Sequence, residues 1–431
     1  MTEFKTVRGM RDFLPEEAKV MRSIEAKARR VAELYGYGEV ITPIVESHEL
    51  LAAKAGEEVK SRMFVFKDLG GRDVALRPEF TASVARLVAT TLRNHPRPFR
   101  LFSTGSVYRY DEPQKGRYRE FWQSNYELMG SSRPEADAEL IVLTDSLMAG
   151  VGLKDYVFKV GHVGVLRGIF TQEKLDDEVQ DAIMLAMDKK QYDGALRIVK
   201  DSGVSDKCLD VLKRLVELRG REVFAVVEKM QKLVESYDKA LEAADNLLEI
   251  LRLVSKSGCK IDMIADAGFA RGLEYYTGMI FETNVPDLDI ALGGGGRYDR
   301  LIELFGGEPT PAVGVAHGLD RIMLAMLGQK ISLESTGEKR VMIIPISKAL
   351  SGEALEIARL LRDAGTPVEV EVMGRKMVKA LEDANRRDLD YAVIVGEREL
   401  KEGSVVVRDL KKRDQTIVKI KDICGAIKER H

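Results

Sequence analysis

Cysteine, histidine and tryptophan are scarce in this chain of 431 residues, which contains three, five and one of them, respectively. The cysteines, Cys208, Cys259 and Cys424, lie far apart, and no CxxC pair is present. This pattern disfavours both a zinc site and a disulfide framework. We therefore expect a cytoplasmic protein without a resident metal site.

Long apolar segments are also missing. No run of about 18 uninterrupted apolar residues occurs, so no membrane span is expected. The first residues, 1–15, lack an apolar h-region and carry Glu3 and Asp12, so neither a secretory signal nor a transit peptide is expected. The net charge is only −2, so any contact with nucleic acid must come from local basic patches.

Two common nucleotide-binding fingerprints are absent. The chain has no GxxxxGK[ST] pattern, so ATP, if it is used, is held without a P-loop. The glycine run Gly293–Gly296 also fails the spacing of a dinucleotide fold, because a glycine would be needed at Tyr298. We interpret this run as a close approach of the backbone to a ligand or a neighbouring strand, just before a helix that begins at Asp299.

The sequence is long enough for two or three domains, and its 45% of hydrophobic residues can build real cores. Residues 1–327 mix strand and helix patterns and contain a stretch of helix formers, about 172–256, which predicts an all-helical insertion. The polar stretch 328–339 is expected to be a linker. In 340–431, apolar runs alternate with amphipathic helices, which predicts a compact α/β domain.

Several segments have the composition of β-strands. A proline within the first of them, Pro43, indicates a sheet edge or a bulge. The predicted strands that matter below are Val40–Val45, Phe99–Tyr110, Arg119–Met129, Glu274–Thr283 and Ile290–Leu292.

The predicted strand Arg119–Met129 has two faces of different character, because alternate residues of a strand share a face. One face carries Trp122, Tyr126 and Leu128, which can pack in a core. The other carries Arg119, Phe121, Gln123, Asn125 and Glu127. From Phe121 to Glu127 this face extends roughly 20 Å, enough for an aromatic base at one end and a small polar ligand at the other. An exposed polar face of an antiparallel sheet is the alternative.

Arginines and a pair of tyrosines surround this strand in the sequence. Guanidinium groups suit a bidentate grip on phosphate, although each alone fits a solvated surface equally well. The arginines concerned are Arg109, Arg117, Arg271 and Arg321. The adjacent Tyr275 and Tyr276 point to opposite faces if they lie in a strand, and ordinary strand packing is the alternative interpretation.

Taken together, these segments resemble histidyl-tRNA synthetases, members of class II of the aminoacyl-tRNA synthetases. The stretches similar to class II motifs 1, 2 and 3 are Ile41–Leu51 with Pro43, Phe99–Met129, and Gly314–Arg321. The stretches similar to histidine-specific signatures are Arg271–Tyr276 and Gly294–Asp299. Asp320 stands where the class usually has glutamate.

The resemblance implies an α+β catalytic domain with a mainly antiparallel sheet, class II synthetase-like, that carries the helical insertion. A C-terminal α/β domain, similar to anticodon-binding domains, would follow. The implied activity is the ATP-dependent activation of L-histidine to histidyl-adenylate and its transfer to the 3′ end of tRNA(His). Mg²⁺ would bridge the ATP phosphates, and a homodimer would form through motif 1 around Pro43.

The same resemblance assigns roles at the nucleotide. Arg109 and Arg321 would bind the phosphates, and Arg117 would contact the γ-phosphate region. Phe121 would stack on adenine, with Arg321 on the other side of the base. Arg271 would lie against the α-phosphate and the attacking carboxylate, so that Arg271, Arg109 and Arg321 form the catalytic set.

At the amino acid, the resemblance implies two groups of contacts. Glu79, Thr81 and Gln123 would hold the α-amino and carboxylate end of histidine. Glu127 and Tyr276 would hydrogen-bond the imidazole, with Tyr275 lining the pocket.

Two rival interpretations are a synthetase-like regulatory subunit of ATP phosphoribosyltransferase and a tRNA-sensing paralogue. The C-terminal α/β domain and the retained Arg271 argue against the first. The intact set of ATP-pocket residues argues against the second.

Overall fold

The computed structural model describes residues 4–53, 57–114, 116–271, 275–286, 288, 290–331 and 339–428. The chain divides into two compact units, Met1–Ser332 and Leu333–His431. In the described residues, no helix is both long and apolar enough to cross a membrane.

The first unit contains both helices and strands. Its helices are α1 (Pro15–Leu34), α2 (His48–Ala52), α3 (Glu57–Lys60), α4 (Thr81–Ala89), α5 (Pro134–Gly150), α6 (Val163–Gln172), α7 (Asp177–Asp188), α8 (Tyr192–Asp201), α9 (Asp206–Glu217), α10 (Val223–Leu233), α11 (Asp238–Lys256), α12 (Leu301–Leu304) and α13 (Leu319–Gly328). Its strands are β1 (Gly38–Glu39), β2 (Val45–Ser47), β3 (Val65–Lys67), β4 (Asp73–Leu76), β5 (Phe99–Tyr108), β6 (Glu120–Met129), β7 (Val157–His162), β8 (Arg219–Gly220), β9 (Met263–Asp266), β10 (Met279–Asn284), β11 (Gly293–Arg297) and β12 (Ala312–Gly318).

Within the described residues, nine strands form one sheet in the order β1-β5-β6-β12-β11-β10-β7-β9-β8. β1 pairs with β5 and β7 pairs with β9 in parallel, and the other neighbouring pairs are antiparallel. A smaller antiparallel sheet has the order β2-β4-β3. The predicted α+β fold with a mainly antiparallel sheet is therefore confirmed.

Helix α1 packs against the face of the sheet that carries Tyr126. Proline at its first turn, followed by Glu16 and Glu17, favours a helix start, because the proline needs no amide partner there and the acids face the positive helix end. Its buried residues include Ile24 and Ala28. The Tyr126 hydroxyl donates a hydrogen bond of 2.7 Å to the Ala28 carbonyl.

The polar face of β6 is buried and does not face solvent. Asn125 and Glu127 are each about 1% exposed, and Gln123 is about 7% exposed. Tyr126 and Leu128 on the other face are buried as well. Polar groups at such a depth need partners, so the exposed-sheet interpretation of this strand is wrong.

Two strand predictions were wrong. Residues 40–44 are not a strand; they connect β1 to β2, and the chain bends at Ile44, just after Pro43. Residues 290–292 are not a strand either, and the glycines that follow them form β11. A Cβ at Gly295 would overlap the Gly314 carbonyl of β12, so this central strand excludes side chains.

Two smaller differences concern neighbouring elements. The strand expected at Glu274–Thr283 begins only at Met279, and its expected first residue, Glu274, lies outside the described residues. The helix expected from Asp299 begins at Leu301.

The lysine- and glutamate-rich stretch folds into helices α7–α11, with the short strand β8 among them. β8 pairs with β9 and so ties this region to the edge of the large sheet. On α11, Leu247, Leu251 and Val254 are buried and form the apolar stripe that the sequence indicates. α11 packs against α5 and α6.

The second unit is a small α/β fold. Its strands are β13 (Val341–Pro345), β14 (Val368–Val370), β15 (Tyr391–Val395), β16 (Ser404–Asp409) and β17 (Gln415–Lys419), and its helices are α14 (Ser351–Asp363), α15 (Met377–Arg386), α16 (Glu397–Lys401) and α17 (Ile423–Lys428). The sheet order is β14-β13-β15-β16-β17, parallel among the first three strands and antiparallel among the last three. Of the predicted linker 328–339, residues 332–338 lie outside the described residues.

Candidate active site

A polar cleft of about 300 Å³ lies over the middle of the large sheet, where β6, β12 and β11 are neighbours. Most of the predicted site residues line it, namely Glu79, Thr81, Arg109, Phe121, Gln123, Arg271, Tyr275, Tyr276 and Arg321. Two predicted site residues, Arg117 and Glu127, do not line the cleft in the described part of the chain. Arg117 is exposed, whereas Glu127 is buried beneath the lining.

Positive charge gathers at one end of the cleft. Burial, followed in importance by the charges of Arg109, Arg117 and Arg271, lowers the pKa of the Arg321 guanidinium to about 10. A pKa depressed by three like charges means that these groups repel one another at close range. An anion bound among them would relieve that repulsion.

Backbone carbonyls fix the three cleft arginines. Arg109 Nε donates to the Pro78 carbonyl at 2.9 Å, and Arg321 Nη1 donates to the Ala291 carbonyl at 2.8 Å. Arg271 Nη1 donates to the Phe281 carbonyl at 3.0 Å. A guanidinium has five N–H donors, so each arginine keeps donors for a ligand after making these bonds.

The glycine-rich strand β11 contacts the side chain of Arg271. A Cβ at Gly294 would overlap the Arg271 guanidinium, so the side chain lies directly on the β11 backbone. Because Gly294 has no side chain, the guanidinium can lie on the backbone of β11, which is here called the glycine floor.

The ring of Phe121 lies beside the arginines, near the start of β6. The Arg109 Cζ atom is 5.5 Å from the centre of this ring, within the range of a cation–π contact. Phe121 and Arg321 both line the cleft, so a flat aromatic ligand at this end can meet a ring and a guanidinium plane.

At the other end of the cleft, Glu127 is held by two hydroxyl donors. Thr81 Oγ1 donates to Glu127 Oε1 at 2.7 Å, and the Tyr298 hydroxyl donates to Oε2. A Cβ at Gly314 would overlap the same Oε2, so a glycine on β12 makes room for the carboxylate. Tyr298 lies in the stretch Gly294–Asp299, which resembles a histidine-specific signature, but no role is predicted for it because the spacing does not reveal that it reaches β6.

The buried carboxylates at this end are difficult to ionise. Burial raises the pKa of Glu127 to about 7, and the hydrogen bonds from Tyr298 and Thr81 oppose the rise. Burial also raises the pKa of Glu79, while the charge of Arg109 and a hydrogen bond from Tyr275 oppose it. Both carboxylates are stabilised as anions when a ligand brings a donor or a positive charge.

Three tyrosines line the same end. The ring centres of Tyr275 and Tyr276 are 4.9 Å apart, and those of Tyr275 and Tyr298 are 5.6 Å apart. The Tyr275 hydroxyl lies 3.3 Å from Oε2 of Glu79, to which it donates. Burial raises the phenol pKa of Tyr276. These hydroxyls therefore stay protonated and can act as hydrogen-bond donors at neutral pH.

Two amide oxygens on β6 have no partner among the described residues, Gln123 Oε1 and Asn125 Oδ1. Gln123 lines the cleft, whereas Asn125 donates at 3.5 Å to Thr81 Oγ1 beneath it. Buried polar atoms are nearly always paired with protein or water. Gln123 is therefore suited to contact a polar ligand.

The sequence matches the family model "Histidyl-tRNA synthetase" over residues 9–322 and the model "Anticodon binding domain" over residues 340–430. The chain belongs to the histidyl-tRNA synthetase family. It is 42% identical over 422 residues to "Histidine--tRNA ligase" of Methanocaldococcus jannaschii, a match that covers 97% of this chain and 98% of that protein.

Solved structures in this family have the same fold. The crystal structure of histidyl-tRNA synthetase from Nostoc sp. PCC 7120 matches with a TM-score of 0.81 and 23% identity, covering 100% of both chains. A Bacillus halodurans structure, titled as an ATP phosphoribosyltransferase regulatory subunit/histidyl-tRNA synthetase, matches with a TM-score of 0.76 and 28% identity, covering 89% of this chain and 97% of that one. Because the Bacillus halodurans protein is described both as a regulatory subunit and as a synthetase, fold alone does not separate the two functions. The anticodon-binding match and the full-length similarity to ligases favour the catalytic one.

Proposed function

We propose that this site converts L-histidine and ATP to histidyl-adenylate, and that the chain then transfers the histidyl group to the 3′ end of tRNA(His). The observation that carries the proposal is the meeting of Arg109, Arg271 and Arg321 in one cleft with a pocket of buried carboxylates and phenols. The first group suits a polyphosphate, and the second suits a small cationic or donor-rich ligand.

In the proposed complex the arginine end holds ATP. Arg109 and Arg321 bind the phosphates, Phe121 stacks on adenine with Arg321 on the other side of the base, and Arg117 reaches the γ-phosphate from the exposed loop. Arg271 lies on the glycine floor, between the nucleotide end and the tyrosines. From there it neutralises both the α-phosphate and the carboxylate that attacks it.

In the first step the histidine carboxylate oxygen attacks the α-phosphorus. A P–O bond forms, the bond to the β-phosphate oxygen breaks, and pyrophosphate leaves with the electron pair. Two anions must approach each other, so the contribution of Arg109, Arg271 and Arg321 is to position them and neutralise their charge. In the second step the terminal ribose hydroxyl of the tRNA attacks the adenylate carbonyl. An ester C–O bond forms, the bond from the carbonyl carbon to the phosphate oxygen breaks, AMP leaves with the electron pair, and the hydroxyl proton is released.

Selectivity for histidine would come from the pocket end. Glu79, Thr81 and Gln123 hold the α-amino and carboxylate groups, and Tyr275 lines the pocket. Glu127 accepts from one imidazole nitrogen while Tyr276 pairs with the other. An isosteric amino acid that lacks these groups would leave buried polar atoms unpaired, which discriminates more strongly than an apolar pocket does.

The lining suits a magnesium ion that arrives with ATP. Mg²⁺ at phosphate sites takes one or two carboxylates and completes its shell with phosphate oxygens and water. Near Arg271, the cleft offers Glu282, whose carboxylate is 3.8 Å from the guanidinium. No group of three or more His, Cys, Asp or Glu suited to a metal is found in the described residues. Glu282 would hold the ion, and the ion would supply positive charge at the phosphates.

We further propose that the chain is a homodimer that works in the cytoplasm. The small sheet β2-β4-β3 and the adjoining segment around Pro43 expose large apolar side chains, which are Ile41, Ile44, Val45, Val65, Phe66 and Leu69. Exposed apolar side chains in one small region are typical of a protein interface. Ile41, Ile44 and Val45 lie in the stretch that resembles motif 1.

The proposed function is tested by histidine-dependent exchange of pyrophosphate into ATP without added tRNA. Exchange supports the synthetase. Its absence, together with retained binding of tRNA or of a partner subunit, would leave only the regulatory or sensing role. The matched control is Arg271→Ala, which should slow exchange about 100-fold or more while the protein remains folded.

A further inference from the structure

The segment Arg8–Phe13, here called the N-terminal strap, lies across the loop that joins β5 to β6. The Arg119 amide donates to the Gly9 carbonyl at 2.8 Å. Gly9 has a φ of +85°, and a Cβ there would meet Arg119 Cγ at 2.7 Å, so this close approach requires glycine. The strap is therefore packed against the loop that carries Arg117.

Arg11 is the centre of the strap. Its guanidinium carbon is 3.9 Å from the ring centre of Tyr118 and 4.4 Å from that of Phe13. Phe13 in turn stacks on Trp122 of β6 at 6.2 Å between ring centres. The guanidinium also forms an ion pair with Oδ1 of Asp320, at the start of α13.

Asp320 connects the strap to the nucleotide end of the cleft. Its side chain is only about 3% exposed, and its Oδ2 accepts a hydrogen bond of 2.6 Å from the Trp122 amide. Trp122 follows Phe121, and Asp320 precedes Arg321. One carboxylate therefore ties together the two segments that carry the residues proposed to hold adenine on its two faces.

Asp320 also lines the cleft, so its charge matters to the ligand. Burial raises its pKa, while the Trp122 amide and the charge of Arg11 favour the ionised form. Without Arg11, a buried carboxylate would either take up a proton or face the nucleotide phosphates with an unbalanced negative charge. Either outcome weakens the site for ATP and leaves the histidine end untouched.

We propose that Arg11 is a positioning residue for ATP, which acts through Asp320 on Phe121 and Arg321. The inference rests on the proposed function, because it assumes that these two residues hold the nucleotide. Arg11 acts from outside the set of residues that touch the substrate. It therefore affects the KM for ATP selectively and leaves the KM for histidine unchanged.

The experiment measures pyrophosphate exchange with Arg11→Gln, Arg11→Lys and Asp320→Asn, varying ATP and histidine separately. We expect Arg11→Gln to raise the KM for ATP roughly tenfold or more, because a small misplacement of binding groups is costly. The KM for histidine should change less than about twofold. Arg11→Lys keeps the charge but loses the flat stacking on Tyr118, so it should restore part of the loss.

Arg8→Gln is the matched control in the same strap. The side chains of Arg8 and Glu112, which form an ion pair, are 73% and 81% exposed. Loss of this exposed pair should therefore leave both KM values unchanged. The double variant Arg11→Gln/Asp320→Asn should have a KM for ATP no higher than that of Arg11→Gln alone, because the two residues act as one unit. Circular dichroism and thermal unfolding check that each variant is folded.

The inference is overturned if Arg11→Gln raises both KM values alike, or leaves the KM for ATP at the wild-type value. If Arg11→Gln does not fold, Arg11→Lys and Asp320→Asn decide the question. A wild-type KM for ATP in both of these variants rejects the inference. Absence of exchange in the wild-type protein would instead reject the proposed function. The two failures are therefore distinguishable.

Discussion

The Tyr298 hydroxyl donates a hydrogen bond to Glu127 beneath the cleft, joining the residue after β11 to a residue near the end of β6. This contact orients the carboxylate that we propose accepts from the imidazole. Tyr298→Phe would leave Glu127 Oε2 without its hydroxyl donor at a buried position, which typically costs about 1–3 kcal/mol. We predict that the KM for histidine in pyrophosphate exchange rises about tenfold while the KM for ATP stays the same.

Tyr35→Phe is a suitable control for that prediction. The Tyr35 hydroxyl hydrogen-bonds with Ser146 at 2.8 Å, between α1 and α5 and away from the cleft. Its loss should leave both KM values unchanged. An equal effect of Tyr298→Phe on the KM for ATP and the KM for histidine would mean that Tyr298 supports the fold and not the histidine pocket.

The pKa of Glu127 predicts a pH dependence of histidine binding. Burial raises this pKa to about 7, so the carboxylate of the free protein is half protonated near neutrality. The ionised carboxylate is the stronger acceptor, so the affinity for histidine should fall as the pH drops from about 8 to about 6. The free imidazole also titrates in this range. The measurement therefore compares the wild type with Glu127→Gln, and the part due to Glu127 should vanish in the variant.

The raised pKa of Glu127 also makes the free energy of unfolding depend on pH, in the direction opposite to that of histidine binding. Between the ordinary pKa of 4.5 and about 7, the folded protein holds a proton on Glu127 that the unfolded chain has lost. The free energy of unfolding should therefore decrease as the pH rises through this window. Denaturant unfolding of ligand-free wild type and Glu127→Gln at several pH values tests this prediction. A difference between the two proteins that does not change between pH 5 and 8 would contradict it.

Gly294 is predicted to be necessary for catalysis through Arg271. In Gly294→Ala, the new Cβ overlaps the guanidinium, so Arg271 must leave the β11 backbone. We predict a loss of about 100-fold or more in the rate of pyrophosphate exchange. The double variant Gly294→Ala/Arg271→Ala should be no slower than Arg271→Ala alone, because both changes remove the same contact.

Gly352→Ala in α14 provides the control for that experiment. A Cβ there meets no atom within 4 Å, so exchange should be unaffected. Full additivity of the Gly294→Ala and Arg271→Ala effects would show that the glycine acts on the sheet as a whole.

The site illustrates what the sequence could and could not predict. The two faces of β6 follow from strand periodicity. On the polar face, Phe121 and Gln123 line the cleft, whereas Asn125 and Glu127 are buried beneath it. The strand at Gly293–Gly296 was missed because glycine has low strand propensity. Burial between two partner strands overrides that propensity here. The Asp320–Trp122 and Tyr298–Glu127 contacts join distant segments, and no local pattern encodes such pairs.

The exposed apolar surface around Pro43 predicts a dimer that one charge can disrupt. Ile41 is 92% exposed and Phe66 is 44% exposed. Placing a carboxylate in an apolar interface costs several kcal/mol because the charge loses its water. Ile41→Asp should therefore shift the mass in sedimentation or light scattering from a dimer toward the 48.1 kDa of one chain. Leu355→Asp, a control at an exposed position of α14 in the second unit, should leave the mass unchanged.

The helical insertion is predicted to bind the tRNA through a groove of about 590 Å³ between α9 and α10. Its lining carries four basic residues, Lys207, Arg214, Lys229 and Lys232, and three acidic ones, Asp210, Glu217 and Glu235. Because the whole chain is slightly acidic, such local groups must supply the contacts to phosphate. Lys229→Glu/Lys232→Glu should lower aminoacylation of tRNA(His) about tenfold or more and leave tRNA-free pyrophosphate exchange unchanged.

Lys200→Glu on α8 is the control for that pair, because it changes the charge of an exposed lysine that does not line the groove. The defect of the double variant should appear as a higher KM for tRNA and a weaker dependence of that KM on salt, because fewer counterions are released when fewer phosphates are contacted. An equal loss of exchange and aminoacylation would place the damage in the adenylate site, and an unchanged salt dependence would mean that the groove does not contact phosphate.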